Sequence, residues 1–147
     1  MIDTFNEHRR RFQEQLVIDT AGYHYRFIRH HMPYSIALVY VAEIGVNLDT
    51  FEKHLRESDK IIFLQTNLCA IIFDDANEEQ GLKAAENLLS HVQNICFTKH
   101  LYMAVVTVSS DYNEFQIVHD LFDLVSYALN HNMDNSVLES SQVIKND

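Results

Sequence analysis

Four consecutive residues, Arg56-Glu57-Ser58-Asp59, place a guanidinium three positions from a carboxylate. An arginine can fork onto a phosphate or another planar pair of acceptors, and a nearby carboxylate can accept from N–H groups of the same ligand. Arg26, Arg29 or Lys53 could add a second cation. The plainer alternative is that Arg56 and Asp59 form an exposed ion pair worth about 0–1 kcal/mol. The nine histidines suggest metal binding, above all His24, His30 and His31 with nearby His8. His24 and His31, however, are about two helical turns apart and too distant to chelate one ion. No HxxxH or HExxH pair falls on an expected helix, so solvated or interfacial histidines and no metal are expected. Ser109, Ser110, Asp111 and His119 include a nucleophile and a base by type, but no elbow glycines surround the serines. Cys69 and Cys96 sit among apolar residues in neither a CxxC nor a disulfide pattern, and read as buried small hydrophobes.

The elements that must position these groups fit one domain covering all 147 residues. Apolar residues make up 47% of the chain and aromatics 11%, enough for a substantial core, while three glycines and a single proline argue against long linkers. The formal net charge of −10 repels phosphate backbones and anionic lipid, so neither nucleic acid nor a membrane is an expected partner. Five of the six arginines (Arg9, Arg10, Arg11, Arg26 and Arg29) nevertheless cluster near the N-terminus, so a local basic patch is compatible with the acidic whole. The first residues lack the apolar core of a secretion signal, and no apolar run approaches the roughly 18 residues needed to span a bilayer. A cytoplasmic protein is expected.

Helical spacing of Phe5, Phe12, Leu16, Tyr23, Phe27 and Ile28 predicts a helix from Thr4 to about His31, with a weak point at Gly22. Pro33 ends it. Tyr34 to Ala42 is apolar on both faces, the pattern of a central, doubly covered strand. Asn47 or Asp49 can cap a short helix to about Glu57. Lys60–Gln65 and Leu68–Phe73, joined through a Gln65-Thr66-Asn67 corner, predict a β-hairpin. An amphipathic helix should run from Glu78 to about Val92, with Asp74, Asp75 and Asn77 as candidate caps. A short Ile95-Cys96-Phe97 segment, a strand over Leu101–Val108 and a second amphipathic helix over Asn113–His131 follow, the last burying Phe115 among others. Ser136-Val137-Leu138 suits an edge strand. This order predicts an α+β sandwich, a mostly antiparallel sheet with helices on its faces.

Four stretches in this order resemble the GGDEF domain of diguanylate cyclases, in a truncated and degenerate form. Arg10-Arg11, followed by Phe12 and Leu16, is similar to the start of that family's first helix. Arg56 to Asp59 is similar to its RxxD approach to the signature hairpin. Thr107-Val108-Ser109 is similar to the end of the strand after the long helix. Asp123, Tyr127 and Asn135-Ser136-Val137 are similar to the closing helix and strand. The resemblance implies a nucleotide-cyclase-like fold and places the signature pentapeptide on Gln65-Thr66-Asn67-Leu68-Cys69, where none of its five residues is kept. Leucine and cysteine cannot replace hard oxygen ligands for Mg²⁺. The family's metal-holding aspartates fall on Val39-Tyr40-Val41-Ala42, and Glu43 is one residue out of phase on a strand. Phosphoryl transfer needs metal-neutralised charge, so no cyclase activity, catalytic residue or cofactor is expected.

What the resemblance leaves is the RxxD site, which in the family binds the product, cyclic di-GMP. The expected function is therefore a non-catalytic regulatory domain, with cyclic di-GMP held at Arg56 and Asp59. The alternative is a protein-interaction or dimerisation scaffold without a nucleotide, working through the long N-terminal helix, whose arginines and aromatics (Phe5, Phe12, Tyr23, Tyr25 and Phe27) suit a partner or a second copy.

Overall fold

The computed structural model describes residues 2–42, 48–93 and 100–139. Helices α1 (Ile2–Glu7) and α2 (Arg9–His30) lead into strand β1 (Tyr34–Val41). A 3₁₀ segment (Leu48–His54), the hairpin β2 (Lys60–Gln65) and β3 (Leu68–Asp74), and α3 (Glu78–Gln93) come next. Strand β4 (Leu101–Thr107), α4 (Glu114–Asn130) and β5 (Val137–Glu139) complete the described fold. The five strands lie in the order β2-β3-β1-β4-β5. Every pairing is antiparallel except β4 with β5, which α4 connects as a crossover.

All eight residues of β1 are buried, because the strand is central and both its faces are covered. Ile36, Leu38 and Tyr40 face a core shared with Phe5, Phe12, Leu16 and the inner side of α4. Ala37, Val39 and Val41 face the opposite core, built with Phe51, Ala85, Leu88 and Met103. The period-two alternation of a strand thus divides one apolar run between two layers.

Helix α3 lies close against the sheet at Gly81. A Cβ on Gly81 would come 2.2 Å from Ser35 Oγ and 2.6 Å from Ser35 Cβ. Ser35 is itself buried and held, its hydroxyl 2.7 Å from Thr107 Oγ1 and 3.2 Å from the Ala76 carbonyl it donates to. On the other face His24 Nδ1 lies 3.0 Å from the Tyr34 hydroxyl, and its Nε2 lies 3.4 Å from Glu114, joining α2, β1 and α4. Burial, with Glu114 adding to it, pushes the Tyr34 phenol pKa upward. His24 is thus a core histidine with two partners.

The helical boundaries depart from expectation at one end. The N-terminal helix breaks at His8 and runs unbroken through Gly22, where the surface is open and a missing side chain leaves no hole. Asn77 caps α3, its side chain accepting from Gln80 N at 2.9 Å while Asn77 N donates to Gln80 Oε1 at 3.0 Å. Asp74 instead pairs with Arg26, and Asp75 takes a left-handed turn conformation. The 3₁₀ segment stops at His54, short of the expected Glu57. Phe115, expected on the buried side of its helix, is exposed, and so is Ile28, which shares the helical repeat of the core residues of α2. Asn47, Glu43 and the Ile95–Phe97 segment lie outside the described residues. Among the described residues, no helix is long and apolar enough to cross a membrane.

Cys69 is fully buried on β3, and desolvation pushes its thiol pKa well up. In a Cys96→Ser variant, a thiol reagent at about pH 8, where an exposed cysteine is partly ionised, should label nothing until denaturant is added. Fast labelling of the native protein would mean that β3 is not enclosed as described.

Candidate functional site

Two places on the fold bear on chemistry. The first is the tip of the β2–β3 hairpin, which meets the end of β1. There the backbone bonds to itself: Val41 N donates to the Asn67 carbonyl at 3.0 Å, and Leu48 N donates to the Thr66 carbonyl at 3.0 Å. The Asn67 side-chain amide donates to the Val41 carbonyl at 2.8 Å. Val39, Val41, Leu68 and Cys69 are completely buried, and none carries an oxygen in its side chain. Among the described residues of this corner, 39–42 and 65–69, no side chain is a carboxylate, the usual anionic ligand of a hard divalent cation.

The second place is a cavity of about 390 Å³ between the end of the 3₁₀ segment with the residues that follow it and one flank of α3. Its lining includes His54, Arg56, Asp59, Lys83, Asn87 and His91. Asp59 is the fixed element. Its side chain is only 4% exposed and accepts from Arg56 N at 3.0 Å, from Nε at 3.3 Å and from Nη2 at 3.1 Å. The fork leaves the Arg56 side chain 62% exposed at the mouth and raises its pKa above the ordinary arginine value, the hydrogen bonds to Asp59 being the main cause. One turn of backbone also closes here, Asp59 N donating to the Arg56 carbonyl at 3.0 Å. Lys83 on α3 brings a second cation to the cavity, and the rings of His54 and His91 stack at 4.8 Å between centroids. A guanidinium aimed by a buried carboxylate, a flexible ammonium and two stacked imidazoles suit an anionic ligand with flat rings.

Arg56 and Asp59 are therefore brought together, as their spacing suggested. The second cation is a correction: Arg26, Arg29 and Lys53 are not among the residues lining the cavity, and Arg26 instead pairs with Asp74 at 3.0 Å and stacks over Tyr23 at 4.8 Å. Lys83, His54 and His91 carried no signal in the sequence, because they reach the cavity from a separate helix and from the 3₁₀ segment. His119, Asp120 and Asp123, also overlooked, hold ligand atoms within 4.8 Å of one another, but the trio is largely exposed and Arg9 already pairs with Asp123.

No protein-family model matches this chain, and no curated protein matches it either. Solved structures do. A microbial GGDEF domain described in a novel interaction mode with cyclic di-GMP aligns at a TM-score of 0.66 and 13% identity, covering 89% of this chain and 92% of that one. The fold is that of a GGDEF domain. The active GGEEF domain of a diguanylate cyclase from Vibrio cholerae aligns at 0.65 and 13%, covering 86% and 94%. The GGDEF domain of DgcB from Caulobacter crescentus, in complex with cyclic di-GMP, aligns at 0.62 and 10%, covering 90% of each chain. In this GGDEF fold the hairpin tip is the corner sealed by Asn67, and the RxxD sequence is the wall of the cavity facing α3.

Proposed function

We propose that this chain is a non-catalytic, cytoplasmic regulatory domain that binds cyclic di-GMP in the cavity bounded by Arg56, Asp59 and Lys83. The observation that carries the reading is the aimed guanidinium: Asp59, whose side chain is almost fully buried, holds Arg56 at the mouth of a cavity that contains a second cation. A cyclic dinucleotide presents phosphates for the two cations and purines for the histidine pair. The absence of catalysis is supported by the hairpin tip, where Gln65 to Cys69 includes no carboxylate and the local backbone groups bond to one another. Two of the similar structures are described with cyclic di-GMP, which makes it the first ligand to test.

Isothermal titration with cyclic di-GMP is expected to give heat with the unaltered chain. Arg56→Ala should weaken the binding roughly tenfold to a hundredfold, the range for losing charge-assisted hydrogen bonds. No heat with the unaltered chain ends the ligand assignment. Incubation with GTP and Mg²⁺ should yield no cyclic di-GMP, and any product with turnover ends the non-catalytic one.

A further inference from the structure

Helix α2 has two apolar sides. Phe12, Leu16, Thr20 and His24 face the domain's own core. Ile18, Ala21, Tyr25 and Ile28 follow one another at spacings of three, four and three on the other side, the repeat of a seam between paired helices. Ile18 is 75% exposed, Tyr25 59% and Ile28 65%; Phe115, at the start of α4 beside Ile18, is 63% exposed. These are four of the five large apolar side chains that are exposed among the described residues, so the patch is concentrated rather than scattered.

The two ends of this face differ. Around its N-terminal half lies an apolar groove of about 620 Å³, lined by Glu14, Val17, Ile18, Phe115 and Val118. Its C-terminal half bears the protruding Tyr25 and Ile28. We infer that a second copy of this chain pairs antiparallel along this face, the Tyr25–Ile28 end of each α2 filling the groove of the other. A two-fold axis at Ala21 and Gly22 makes the arrangement self-complementary. Ile18 and Tyr25 are equally distant from that point along the helix, and so are Glu14 and Arg29, which sets the carboxylate of one copy against the guanidinium of the other at both ends. Glu14 already holds Arg10 at 3.3 Å, so Arg29 of the second copy would complete a cation–anion–cation row. The small Ala21 and the open Gly22 let the backbones approach at the axis. Parallel pairing would set groove against groove and glutamate against glutamate.

The test is sedimentation or light scattering of the full chain, with circular dichroism as the check on folding. A dimer is expected. Ile18→Glu, on an exposed position, should raise its dissociation constant at least roughly tenfold, because two new like charges meet apolar surface. Glu14→Arg and Arg29→Glu should each weaken it, and the two together should restore it, which only antiparallel pairing does. Arg56→Ala should dimerise normally, so failure of the nucleotide reading leaves this result intact. A monomer at every concentration, a dimer indifferent to Ile18→Glu, or a charge exchange without rescue would each overturn the pairing.

Discussion

Replacing Phe122 with alanine is expected to lower stability by about 3–5 kcal/mol, the range for emptying a large aromatic site in a core. Phe122 is fully buried on the inner side of α4, and its ring stacks on Phe5 with centroids 5.5 Å apart. Phe5 in turn leans on Tyr40 of β1 at 5.1 Å, so the three rings fasten α1 to the sheet through α4. Arg9 also lies over the Phe122 ring at 5.8 Å while pairing with Asp123. Loss of the ring leaves a void and removes the partner of Phe5 together. Urea denaturation should show the change, with a fall in melting temperature on the order of 10 °C for a domain this size. A loss below about 1 kcal/mol would mean that the site collapses to fill itself.

Gly81→Ala is the second large effect, and its origin is crowding. The added methyl would lie 2.2 Å from Ser35 Oγ, and Ser35 cannot swing away without giving up its bonds to Thr107 and to the Ala76 carbonyl. Overpacking of this kind costs about 1–3 kcal/mol, although alanine is intrinsically the better helix former by about 1 kcal/mol. The steric term prevails because Ser35 belongs to the central strand, which is fixed by neighbours on both sides. Exchanging the pair, Ser35→Gly with Gly81→Ala, should recover part of the loss. A double-mutant cycle by chemical denaturation reads that coupling directly, and a fully additive cycle would rule out the clash.

Most of the frame was legible in the sequence because it depends on local patterns. The doubly apolar run 34–42 announced a central strand, and the polar corner between two apolar runs announced the hairpin. Asn77 and Asn113 announced helix starts that the structure caps with reciprocal side-chain bonds. What escaped depends on tertiary neighbours. Glycine propensity marked Gly22 as the weak point, yet the chain breaks at His8, and buried residues on both sides of Gly22 keep the helix continuous. Periodicity identified Phe115 and Ile28 as apolar positions on helices but could not tell that their side of the helix has no cover within this domain. The RxxD pair was legible because its members are three residues apart. Lys83 was not, since α3 is brought to that cavity by the sheet. Asn67 was read as a turn residue, and its bond to the Val41 carbonyl follows from strand order rather than from the turn itself.

Strand order also governs when the domain can become stable during synthesis. The hairpin β2–β3 closes over two residues and can form as soon as it has left the ribosome. Strand β1, made earlier, needs β4 on its other edge, and the Ser35–Thr107 bond across that edge spans 72 positions of chain. Until then one edge of this largely apolar strand stays unpaired. Folding should accordingly be slow for the domain's size, with its rate set by long-range closure rather than by helix formation. Nascent chains stopped before β4 should be the form that chaperones retain.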